Sequence, residues 1–138
     1  MRVINNYMDQ IRDFVEKNVH WLNQIQVWHW QTKSYAEHEA LGEYYTKFNA
    51  LNDKLVETWQ GKSDDEERII FTSEMYPNWH NYAGGVHIKK EVQSHLEIIT
   101  IFDKWIKSIT DVSHIDIESI IEDMVAENNQ LIYHLSLK

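Results

Sequence analysis

The chain has 138 residues, 43% of them hydrophobic and 12% aromatic, which suits one domain around a single core and argues against disorder. With 22 acidic against 13 basic residues, its net charge of −9 disfavours nucleic acid and anionic membrane as partners. It has no cysteine, which excludes disulfides, thiolate metal sites and Cys nucleophiles, so any metal must be held by imidazole, carboxylate, carbonyl or water.

One Pro and four Gly leave few breakers, so long helices are expected. No apolar run approaches the ~20 residues of a transmembrane helix, and "MRVINNYMDQ" lacks the apolar core of a signal peptide. The expectation is a single cytoplasmic domain over residues 1–138.

In the first predicted helix, Ile4, Met8, Ile11, Val15, Leu22, Ile25 and His29 recur at steps of four and three, with Asn18 in the gap. Tyr7, Phe14, Trp21 and Trp28 form a second stripe at strict sevens, a hint of subunit packing that a large loop could also cover. The second helix runs from Ala36 to Trp59, with Leu41, Tyr44, Tyr45, Phe48, Leu51, Leu55 and Trp59 on its apolar face. Asp53 and Glu57 lie one turn apart, some ~140–180° from the centre of that face. The third helix reads Ile88, Val92, His95, Ile99, Phe102, Ile106 and Ile109. The fourth reads Ile117, Ile121, Met124, Asn128, Leu131 and Leu135, with Ser113 and Asp116 as candidate N-caps.

Residues 61–86 join the middle two helices. The pattern predicts an all-α, ferritin-like four-helix bundle with a long crossover between helices 2 and 3. A link of that length is expected to hold a short helix or strand, with Gly84 and Gly85 forming a turn before the third helix. Asn18, His95 and Asn128 interrupt three core stripes, which predicts a buried polar layer.

Four residues spaced H-x8-H-x14-D-x3-E carry the strongest chemical signal: His29, His38, Asp53 and Glu57. Two imidazoles and two carboxylates suit Fe²⁺, Zn²⁺ or Mn²⁺. On one helix, 15 to 19 residues span roughly 22–28 Å, so His38 cannot share an ion with Asp53 or Glu57 of its own chain. An antiparallel second copy could bring them together, which predicts at least a homodimer. Glu39 and Glu43 are alternative ligands to His38. Trp28, Trp30 and Trp59 are read as packing residues, and His80 and His87 as surface residues. Glu91 and His95, four apart, form a further candidate pair.

"QVWHWQTKSYAEHEAL", the D-x3-E of "NDKLVETW" and the C-terminal "IESIIEDMVAENNQLIYHLSL" resemble the Dps-type mini-ferritins, and more closely small ferritin-like proteins of phage origin. Ser34 stands where those mini-ferritins have Gly. The resemblance implies that His29, His38, Asp53 and Glu57 bind iron between two subunits and that the protein oxidises or sequesters Fe²⁺. In that chemistry O₂ or peroxide is the oxidant and a dodecamer the larger assembly. The alternative is a non-catalytic ferritin-like binding or assembly protein, phage-encoded, that has lost iron storage.

Overall fold

The computed structural model describes residues 7–62, 67–72 and 79–137. Ile4 and the middle of the 61–86 link lie outside the described residues. Four helices make up the regular structure: α1 (Met8–Gln31), α2 (Tyr35–Gly61), α3 (Gly85–Ser108) and α4 (Ile115–Ser136). No described residue is in a strand, and among the described residues no helix is long and apolar enough to cross a membrane.

Local chemistry sets the helix ends. Ser34 Oγ accepts the Glu37 N–H at 3.2 Å and caps α2, satisfying one of the amides that a first turn leaves without a partner. The Glu37 carboxylate is used elsewhere, accepting the hydroxyls of Thr32 and Tyr82. Gly84 precedes α3 at φ 99°, a left-handed conformation that a side chain would strain. The expected caps of α4 do not serve. His114 is its N-cap residue and makes no side-chain capping bond, while Asp116 lies inside the first turn and pairs with Lys62 at 2.8 Å. A carboxylate there still complements the positive end of the helix dipole. The described parts of the 62–84 connection contain neither helix nor strand, so the expected short element is not found in them.

Contacts between ends fix the helix directions. At one end of the bundle, Trp59 of α2 stacks on His114, and Lys62 donates to the Ser113 carbonyl. At the other, Tyr82 and Gly85 meet Glu37 in the first turn of α2. Consequently α2 and α3 run the same way, each antiparallel to α1 and α4. The described parts of the connection lie against α1. Thr72 N–H donates to Glu16, His80 is held by Gln24, and Tyr82 N–H donates to Gln31.

The first stripe of α1 enters the core as its spacing predicts, with Ile11, Val15, Leu22 and Ile25 buried. The second stripe is a correction. It does not wait for another subunit, because α3 covers it. Tyr7 meets Trp105 edge-on, Phe14 stacks on Phe102 at 3.9 Å, Trp21 stacks on His95, and Trp28 meets His87 edge-on. Two antiparallel helices with aromatic residues in facing positions form this ladder, and such ring pairs add about 0.5–1.5 kcal/mol each beyond area burial.

The polar layer forms and is larger than the three residues expected. Trp21 Nε1–H donates to the Tyr44 hydroxyl (2.7 Å), which donates to Asn128 Oδ1 (2.6 Å). Asn128 Nδ2–H donates to His95 Nδ1 (2.9 Å), His95 Nε2–H to Asn18 Oδ1 (3.0 Å), and Asn18 Nδ2–H to Asn52 Oδ1 (3.0 Å). The circuit visits α1, α2, α4 and α3, returns to α1 and ends on α2. It requires neutral His95, and burial accordingly pushes that imidazole down to about 3. Burial likewise raises the Tyr44 phenol well above its ordinary value.

Candidate functional site

His29 ends α1, His38 opens α2, and the three-residue turn between the helices folds one onto the other. Their rings stack with centroids 3.8 Å apart and planes 15° from parallel. Each Nδ1 lies 2.8 Å from the other residue's backbone carbonyl. A carbonyl only accepts, so each Nδ1 carries a proton, and Nε2 is the nitrogen that offers a lone pair when the ring is neutral. Metal-binding histidines are commonly fixed in this way. Gly42 makes room for the clasp: a Cβ there would come within 2.9 Å of His29 Cε1. Nearly parallel rings at this spacing cannot both aim a lone pair at one ion, because a ligated ion lies close to the plane of its imidazole.

Asp53 and Glu57 are exposed on the outer face of α2, as their spacing predicts. A hydrogen bond that the protonated Glu57 carboxyl donates to Asp53, and then the Asp53 charge, raise the Glu57 carboxyl above its ordinary value. The two carboxyls therefore act as a hydrogen-bonded pair. The helix runs unbroken from Tyr35 to Gly61, so the histidine pair and the carboxyl pair remain roughly 22–28 Å apart in one chain. The structure brings the four residues together as two pairs and not as one cluster.

The neighbouring candidates divide. Glu43 pairs with Lys47 at 2.7 Å, which lowers its carboxyl below the ordinary value. Trp28 and Trp59 are buried, whereas Trp30 is 67% exposed and does not pack into the core. His95 belongs to the interior circuit and is not a partner of Glu91.

Glu91 instead faces His87, one turn earlier on α3, and His80 from the connection. His80 Nδ1 lies 3.4 Å and His87 Nε2 3.5 Å from Glu91 Oε1, and one ligand atom from each of the three residues lies within 4.8 Å of the others. The i,i+4 pair His87 and Glu91 is legible in the sequence, but the arrival of His80 is not. His80 is brought there by buried Gln24, whose side-chain amide binds the His80 N–H and carbonyl at 2.8 and 2.9 Å.

Residues 29–135 match the model of a family of unknown function, DUF5856. No curated protein and no solved structure matches the chain.

Proposed function

The chain belongs to the DUF5856 family, and we propose that it is a ferritin-like, mini-ferritin-type protein that binds Fe²⁺ between two copies of itself and oxidises it with O₂ or peroxide. His29 and His38 would come from one chain and Asp53 and Glu57 from an antiparallel second chain, making the working unit at least a homodimer. The observation that carries this reading is the pair of stacked imidazoles, each with Nδ1–H held by a backbone carbonyl and Nε2 left as a donor. One ring per ion is the use this stacking permits. The Glu57 carboxylate suits a bridging role, and Asp53 would neutralise charge as Fe³⁺ forms. The paired carboxyls fit, because a cation between them would stand where the proton of their hydrogen bond stands and would relieve the repulsion between their charges. Zn²⁺ or Mn²⁺ satisfies the same ligand set.

The parallel run of α2 and α3, joined along α1, supports the ferritin-like crossover topology. Elemental analysis of the purified protein, with ferric absorbance followed after Fe²⁺ addition, tests the function. Iron at the level of the chain together with accelerated oxidation is expected. Unaltered oxidation in a protein that still binds metal would replace this reading with the non-catalytic one. The interior circuit offers no competing site: its members satisfy one another and include no carboxylate, so they do not make a di-iron centre within the bundle.

A further inference from the structure

We propose that His80, His87 and Glu91 form a separate divalent transition-metal site within a single chain, completed by water. Three observations carry it. The ligand atoms lie within 4.8 Å of one another, and both edges to Glu91 already have coordination spacing. Around an ion bound at about 2.0–2.1 Å, neighbouring tetrahedral ligands lie about 3.3–3.4 Å apart, and the two edges that meet at Glu91 Oε1 measure 3.4 and 3.5 Å. Those same separations exceed the usual N–H···O hydrogen-bond range of about 2.7–3.2 Å, so the three groups do not satisfy one another.

Their backbones are also held. His87 and Glu91 stand one turn apart on α3. His80 lies outside any helix, yet buried Gln24 grips its backbone through both the N–H and the carbonyl. One residue further on, Gln31 Nε2–H donates to Asn81 Oδ1, and Gln31 Oε1 accepts the Tyr82 N–H. The His80 side chain takes no part in this grip and is left to point at Glu91.

Finally, the site is walled on one side and open on the other. The Trp28 ring meets His87 edge-on. His80 is 52% exposed and Glu91 32%, which leaves room for water ligands. Two imidazoles and one carboxylate select a first-row ion such as Zn²⁺, Co²⁺ or Fe²⁺ over Ca²⁺ and Mg²⁺, which require oxygen ligands. Binding through Nε2 leaves the buried Nδ1 of His87 without a hydrogen-bond partner, which is expected to weaken the site by about 10–100-fold relative to one whose second ring nitrogen is held.

Titration calorimetry of the full chain with Zn²⁺ tests the site and separates it from the interface site proposed above. Zn²⁺ binding that persists in a His29→Ala/His38→Ala double variant, and weakens at least tenfold when His80→Ala, His87→Ala or Glu91→Gln is added to that background, is the expected result. Circular dichroism of each variant guards against unfolding, and His80→Ala leaves the Gln24 grip in place. Imidazole signals of His80 and His87 that shift on Zn²⁺ addition would identify the ligands in the unaltered protein. The proposal is overturned if the His29→Ala/His38→Ala double variant takes up no Zn²⁺, or if the three added changes leave its Zn²⁺ binding unaltered.

Discussion

The imidazole of His29 rests directly on Gly42, in a space that no other amino acid leaves open. A Cβ at position 42 would approach Cε1 to 2.9 Å and Nδ1 to 3.3 Å. In an ordinary helix, Gly→Ala gains about 1 kcal/mol. Here Gly42→Ala must displace the ring and break its hydrogen bond to the His38 carbonyl, a loss of about 0.5–1.5 kcal/mol. We therefore expect almost no change in urea-unfolding stability, together with loss of the Nδ1–H tautomer signal of His29 in ¹⁵N NMR. Gly61→Ala is the control, since nothing lies near its Cβ position. A Gly42→Ala variant with unshifted His29 signals would show that the clasp does not depend on the glycine.

His95 is an interior test of the hydrogen-bond circuit. His95→Leu deprives Asn18 Oδ1 and Asn128 Nδ2 of their partner, at about 1–3 kcal/mol for each orphaned group. His95→Gln offers one donor and one acceptor and should recover part of the loss. Equal urea midpoints for the Leu variant and the wild type would contradict the circuit.

The same residue gives the bundle an acid limit. Unfolded His95 takes up a proton near its ordinary value of 6.5, whereas folded His95 does so only at about 3. Between those values the unfolded chain binds more protons, so stability falls as pH falls, with a maximum slope of about 1.4 kcal/mol per pH unit from this group. The contribution is fully present above pH 6.5. His20 and His114, also lowered chiefly by burial, act in the same direction. Comparing wild type with His95→Gln isolates the His95 share, and the variant should show a shallower loss of stability between pH 6 and pH 4.

For the interface site, His29→Ala and Glu57→Ala should each abolish tight iron binding alone. Co-expressed and confirmed as mixed dimers by mass, they should regain roughly half the wild-type content, since one of the two equivalent sites then holds both intact halves. A site built within one chain gives no rescue. Recovery no better than either single variant would remove the geometric basis of the shared site.

The four helices and their core faces are legible because periodicity and sparse breakers speak locally. What covers each face is not. Tyr7, Phe14, Trp21 and Trp28 declare a second apolar stripe, but only the packed chain shows that α3 is its partner. The outward Asp53–Glu57 pair was readable from helical spacing alone. The His29–His38 stack depends on the geometry of a three-residue turn and on the space at Gly42, neither of which spacing encodes. His80 is harder still, since its position depends on a glutamine 56 residues earlier. Pairing His95 with Glu91 failed because both i−4 and i+4 neighbours of Glu91 are histidines, and burial decides which one turns inward.

The hydrogen-bond circuit through Trp21, Tyr44, Asn128, His95, Asn18 and Asn52 draws on all four helices. No hairpin contains it. An isolated α1–α2 pair would leave Asn18 Oδ1 without its donor and the Tyr44 hydroxyl without its acceptor, and an isolated α3–α4 pair would strand His95 Nε2–H. Half-bundles are therefore poor stopping points during unfolding, because each forfeits bonds that only the complete ring can make. The slowest amide exchange is expected to be shared by the central turns of all four helices, with the bundle opening as one cooperative unit.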